Sequence, residues 1–289
     1  MIKKRKLSKK LIIYVSLGIY ALFVLTPFFI MLISSFKHRY ETIGDFKWLP
    51  QEGISLEGYK SVFEKVNSST SIIEGFFNTL WIIIPPTIIG LLTSSLSAYA
   101  FTKLRFRGKK VMFGLLIATM MIPGIVTLVP SYIIWDYLGV TANAPFIPLM
   151  IPGMFGAAAC VFFMRQSFFA IPDEIIEAAK LDGLNEIQVF FRIVLPLSKP
   201  ALLAQGILGF VAGYNDYFGP LIYLKTDYQT LQIALATFSD RFSGDWPAIL
   251  AANVIAILPT IVIYIFAQKY FIEGIAHSGV KGWWKDFYL

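Results

Sequence analysis

Along this chain the apolar residues gather into long runs, not into the alternation of a half-buried strand or the spacing of a helix with one dry face. Six runs reach the length of a membrane span: 11–36, 76–102, 111–135, 145–170, 200–224 and 246–270. About 20 apolar residues of helix cross the hydrocarbon core of a bilayer, and a lone strand in lipid would leave its backbone unpaired. The pattern therefore predicts an all-α integral membrane protein, a single domain over 1–289 with six transmembrane helices. The first run follows a basic leader, as a signal peptide would, but its 26 residues exceed the roughly 7–15 of a signal core and no clear small-residue cleavage site follows. It is read as a retained span.

Between the runs, the basic residues set the orientation. With the N-terminus inside, the inner segments hold 18 of the 25 lysines and arginines and the outer segments hold 7. The positive-inside rule then places both termini in the cytoplasm. The basic leader Lys3, Lys4, Arg5, Lys6, Lys9 and Lys10 directly abuts a span, so it is read as an anchor on the bilayer and not as a nucleic-acid contact. Composition agrees. Hydrophobic residues make up 56% of the 289 and charged residues 15%, with a mean hydropathy of +0.66, against about 25% charged in an average soluble domain. Such a chain has too few polar groups to cover a soluble surface.

Candidate chemistry is sparse. The single cysteine, Cys160, forbids an internal disulfide and lies in an apolar run. His38 and His277 have no ligand spacing, and neither HExxH nor GxxxxGK[ST] occurs. No metal site and no nucleotide site is expected in this chain. Prolines stand inside several runs (Pro27, Pro85, Pro86, Pro123, Pro130, Pro148, Pro152, Pro220 and Pro259). Each removes a backbone donor and is expected to kink or break its helix, leaving neighbouring helices to satisfy the freed groups. Asp216 is the one acid well inside a run. Toward the outer boundary a charge costs much less than at the bilayer centre, so Tyr214, Asn215, Asp216 and Tyr217 read either as a gate or pathway lining that binds a polyol, or as inter-helix hydrogen bonding.

The segment 171–199, between the fourth and fifth runs, is the least hydrophobic internal stretch on the inner side. Pro172 with Asp173 and Glu174 signals a helix start, acids suiting the positive end of the helix dipole. Gly183 is the stop, since glycine accepts the left-handed backbone that ends a helix. Asn185 then caps a second helix, with Gln188 three residues on in a capping-box position, and that helix runs to Pro196. Its apolar stripe of Ile187, Phe190, Phe191 and Val194 can lie against the membrane or fill a groove in a partner. A handful of residues would join two spans, so nearly thirty structured ones ask for a reason.

Glu177-Ala178-Ala179, three residues, Gly183, nine residues, Ile193, one residue, then Leu195-Pro196 resembles the EAA signature of the permease subunits of type I bacterial ABC importers. The stretches Ala98-Tyr99-Ala100-Phe101 with Arg105-Phe106-Arg107-Gly108-Lys109, Met121-Ile122-Pro123-Gly124, Asn215-Asp216 with Pro220, and Glu273-Gly274-Ile275 with Gly279-Val280-Lys281-Gly282 are similar to the maltose-type, carbohydrate branch, in particular its smaller six-span permease. The resemblance implies a coupling helix that docks on an ATPase subunit. Glu177, Ala178, Ala179 and Gly183, with Asp182 and Leu184 of the same corner, would form the contact and its bend. It also implies the partners: a homologous second permease in a heterodimer, two ATPase subunits that bind ATP and Mg, and an extracytoplasmic solute-binding protein. This chain would be no enzyme and would bind no cofactor. After Gly282 it departs from the family pattern by continuing as Trp283-Trp284-Lys285-Asp286-Phe287-Tyr288-Leu289.

The expected function is thus half of the pathway for a sugar or oligosaccharide. The alternatives are import of another solute (a polyamine, peptide or amino acid), an integral-membrane enzyme, or a channel or proton-driven carrier. No nucleophile–base pair supports the enzyme, and one deep charge is thin support for the carrier. Tyr132, Trp135 and Tyr217 could stack on sugar rings or sit in an interfacial aromatic belt.

Overall fold

Where the apolar runs stay helical and where they break is decided by glycines, hydroxyls and turns. The computed structural model describes residues 2–43, 45, 47–63, 71–224 and 228–279, with the backbone alone at 2–9 and 269–279. Every regular element among them is helical. In chain order these are α1 (Ile2–Ser34), a 3-10 turn (Arg39–Thr42), α2 (Glu57–Val62), α3 (Ile72–Lys103), α4 (Lys109–Thr119), α5 (Gly124–Tyr137), α6 (Val140–Asn143), α7 (Ile147–Met154) and α8 (Ala158–Phe169). There follow α9 (Asp173–Leu181), α10 (Glu186–Val189), a π-helical turn (Phe190–Val194), α11 (Leu195–Leu197), α12 (Lys199–Tyr214), α13 (Phe218–Tyr223), α14 (Leu231–Arg241) and α15 (Trp246–Gly279).

Four stretches are long and apolar enough to cross a membrane as they stand: Lys10–Ser34, Ile72–Lys103, Ile147–Phe169 and Trp246–Gln268. Two more are bent pairs, α4 with α5 at 95° and Glu186–Leu197 with α12 at 80°, so the described residues hold four spans, or six if each pair is one span. Two of the apolar runs, 111–135 and 200–224, are interrupted. The first is interrupted at 120–123, where Pro123 precedes α5, and the second at 215–217. The prolines do not mark most of the breaks. Helix α1 runs through Pro27, α3 through Pro85 and Pro86, and α15 through Pro259.

The described residues group into two compact units, within 1–73 with 234–258 and within 74–233 with 259–289. In the first, the segment after α1 folds back through Ser35, whose Oγ lies 2.8 Å from Tyr59 Oη, and through Phe36, whose ring meets that of Tyr59 at 5.1 Å. Glu41 accepts from the backbone N–H of Gln51 at 2.8 Å, which holds its carboxyl below the usual range. Gly58 lets α2 close on the start of α15, since a Cβ there would stand 2.7 Å from the Pro247 carbonyl oxygen.

In the second unit α3 approaches both α7 and α12 at glycines. Gly90 brings it against α7 so closely that a Cβ would meet the Gly153 carbonyl oxygen at 2.2 Å. The gap between α7 and α8 is bridged by hydroxyls of α3. Thr93 Oγ1 donates to the Met154 carbonyl at 2.8 Å, and Ser94 Oγ accepts from Ala157 N–H at 3.1 Å. Thus a break inside an apolar run keeps its backbone satisfied by a neighbouring helix, as lipid requires.

Candidate functional site

Helix α9 begins after Pro172, with Asp173 and Glu174 in its first turn and Lys180 in its last, the charge order its dipole favours. It ends in a Schellman motif. Leu184 N–H donates to the Ala179 carbonyl at 3.1 Å and Gly183 N–H to that of Lys180 at 3.0 Å, with Gly183 at φ +85°. Asn185 then caps α10 reciprocally with Gln188. Gln188 N–H donates to Asn185 Oδ1 at 2.9 Å, and Asn185 N–H to Gln188 Oε1 at 3.0 Å. The second helix does not run uniformly to Pro196, because its turn at Phe190–Val194 is π-wound just ahead of that proline. Proline gives no N–H to the carbonyl four residues back and crowds it.

Burial divides the corner into two faces. Ile176, Ala179, Val189, Phe190 and Val194 are buried in one apolar cluster with Ala98, Tyr99 and Phe101 of α3 and Val161, Met164 and Phe168 of α8. The stripe expected to face membrane or partner is split accordingly: Phe190 and Val194 point into the cluster, while Ile187 and Phe191 are exposed. The opposite face carries Glu177, Ala178, Asp182 and Gly183, all exposed, with Leu181 at 89% exposure and Ile187 at 67%. So four of the expected coupling residues share an open surface, whereas Ala179 is buried and Leu184 half-buried behind it.

Two polar ties fasten this corner to the end of α3. Lys103, whose side chain is 8% exposed, donates to the Ile171 carbonyl at 2.7 Å and to Asp173 Oδ1 at 2.6 Å. That ammonium holds the Asp173 carboxyl below the usual range. Tyr99 Oη donates to Glu186 Oε2 at 2.7 Å, and Lys180 Nζ donates to Glu186 Oε1 at 2.6 Å, so one carboxylate joins α3, α9 and α10. Lys103, Glu186 and Leu181 are the residues that reading the sequence missed. Leu181 had a usable signal, an apolar residue inside a polar segment. The ties had none, because Tyr99 and Glu186 are 87 positions apart.

The second candidate region lies in the break between α12 and α13. Asp216 Oδ1 accepts from Gly219 N–H at 3.2 Å, and the residue lines a half-open cavity of about 310 Å³ together with Thr79, Thr87, Ser94, Gln205 and Thr230. Its three expected companions lie elsewhere. Tyr214 is buried and stacks on Phe210 at 5.6 Å, Asn215 donates to the Val211 carbonyl of its own helix at 2.9 Å, and Tyr217 meets Phe218 edge-on at 5.6 Å. No aromatic residue is among those lining this cavity, and Tyr132 instead meets the Tyr223 ring at 5.6 Å. Among the described residues no three of His, Cys, Asp and Glu gather closely enough to hold a metal ion.

Residues 88–277 match the family described as binding-protein-dependent transport system inner membrane component. The chain belongs to that family. It is a permease subunit of an ABC transporter and not itself catalytic. The chain is 35% identical over 210 residues to the arabinooligosaccharides transport system permease protein AraQ of Halalkalibacterium halodurans, covering 72% of this chain and 74% of that protein. It is 32% identical over 263 residues to the melibiose/raffinose/stachyose import permease protein MelC of Bacillus subtilis, covering 89% and 91%. Among solved structures it resembles a chain of a bacterial ABC transporter involved in the import of the acidic polysaccharide alginate, with a TM-score of 0.75 at 25% identity, over 91% of this chain and 96% of that one. The expected all-α fold and the family resemblance are borne out. A multi-pass membrane permease of this family works with ATPase and substrate-binding partners. The tail after Gly282 lies outside the described residues.

Proposed function

We propose that this permease forms half of the pathway for a sugar or oligosaccharide, in a heterodimer with a second, homologous permease. An extracytoplasmic binding protein delivers the substrate, and two ATPase subunits, which bind ATP and Mg, drive import. Six spans, counting each bent pair as one, would leave both termini on the same side, and the lysine and arginine bias supports the cytoplasmic side. The names of AraQ and MelC and the alginate importer support a carbohydrate over a polyamine, peptide or amino acid.

The observation that carries the mechanism is the two-faced corner at 173–187. One face is sealed to α3 and α8, while the other offers Glu177, Ala178, Leu181, Asp182 and Gly183, all exposed among the described residues. When the ATPase pair closes, a push on that open face reaches α3 through Lys103 and Tyr99, and the pathway opens outward. Asp216 and the hydroxyls around it then present hydrogen-bonding groups to a polyol passing the cavity. The test is reconstitution of the complete transporter in proteoliposomes with ATP inside and labelled oligosaccharides outside. Accumulation that needs both ATP and the binding protein is the expected result. Uptake of a polyamine or amino acid but of no sugar would overturn the substrate, and uptake without any ATPase subunit would overturn the mechanism.

A further inference from the structure

A second cavity, of about 290 Å³, lies in the larger unit where the end of α8 meets the start of α9 and the elbow between α11 and α12. Its walls are apolar, chiefly Phe163, Ile171, Ile175 and Leu197, and its only polar side chains are Gln166, Ser167 and Ser198. None of the lining residues carries a charge. Ser198 is 3% exposed, and its Oγ is buried without a hydrogen-bond partner. A buried hydroxyl left unpaired is costly, and native structures supply a partner from protein, water or ligand. The serine sits at the 80° bend between Glu186–Leu197 and α12, so whatever pairs with it touches the hinge of the corner.

We propose that this cavity holds the glycerol ester portion of an uncharged membrane lipid of the diacylglycerol class. The place is the end of a membrane-spanning stretch, the depth at which a lipid carries its hydroxyl and ester groups. The uncharged lining gives no counter-charge to a phosphate, whereas a free hydroxyl or ester carbonyl can pair with Ser198 Oγ. The cavity is too small for two acyl chains, which leave it over exposed Phe169 and Leu197 into the bilayer. The bound lipid bridges α8, α9 and α12 and braces the elbow against the rest of the unit.

The test is photolabelling of the full-length permease, assembled with its partners in phosphatidylcholine nanodiscs, with a diacylglycerol bearing a diazirine near the glycerol. Cross-linked peptides are mapped by mass spectrometry. Labelling is expected to concentrate on residues 163–175 and 197–201 and to be displaced by unlabelled diacylglycerol. Ser198→Ala should weaken it about fivefold, the worth of one hydrogen bond. Ala170→Phe, which fills the cavity from its exposed rim, should abolish it and leaves the core untouched should the first variant fold poorly. Labelling spread evenly along all spans, or unchanged in Ala170→Phe, would overturn the site. Displacement by phosphatidylglycerol as effective as by diacylglycerol would overturn the uncharged headgroup.

Discussion

Substituting Gly183 separates what the corner needs for itself from what docks on it. The residue stands at φ +85°, and a Cβ built there meets nothing within 4 Å. In the isolated permease the cost of a side chain is therefore purely conformational, about 1–2 kcal/mol for an L-residue in the left-handed region, and less for Asn, which tolerates that region. Such a cost raises the population of the opened corner by a factor of about 5–30. Hydrogen exchange of the Gly183 and Leu184 amides, both held by the Schellman bonds, should quicken by that factor in Gly183→Ala. Gly183→Leu should match Ala, and Gly183→Asn should stay closer to the wild type. In the assembled transporter Leu should be markedly worse than Ala at coupling ATP hydrolysis to uptake, because the open space is then occupied by the ATPase. Equal coupling by Ala and Leu would refute docking at this corner, and unchanged exchange in Ala would refute the conformational argument.

The two neighbouring alanines make a second test. Ala179→Leu should overpack the buried cluster, at about 1–3 kcal/mol, and lower the thermal midpoint of the permease, whereas Ala178→Leu, on the exposed face, should leave it unchanged and reduce ATPase co-purification. Leu181→Asp should be within about 0.5 kcal/mol of wild type in permease stability yet fail to retain the ATPase in a pull-down. Because Lys103 lowers the Asp173 carboxyl in the folded state, the tie contributes fully above the ordinary aspartate pKa of about 3.9 and is lost only as pH falls below that toward the lowered value. Carboxyl NMR should find Asp173 titrating below the usual range, and Lys103→Met should return it there. Asp216→Ala should slow oligosaccharide uptake in proteoliposomes without altering the fold, and unchanged uptake and receptor-stimulated ATPase activity would remove it from the pathway.

Much of this protein is written in short-range pattern. Six apolar runs announce a membrane chain because lipid accepts only internally paired backbone, and that demand is local. The corner at 173–187 was equally legible: Pro172 with two acids, Gly183, and Asn185 with Gln188 each act within four residues, and each takes the predicted part. What the tertiary structure alone decided was which side of each element faces inward. Ala178 and Ala179 are chemically identical, and only the placing of Ala179 in the buried cluster that also holds Phe168 and Tyr99 makes one a surface residue and the other core. The breaks in the apolar runs belong to the same class. The gap at 155–157 exists because Thr93 and Ser94, more than 60 positions away, satisfy its backbone, while the prolines of α3 leave their helix continuous. Hydrophobicity along a chain states that burial will occur, but the partner that does the burying is set by contacts no local pattern contains.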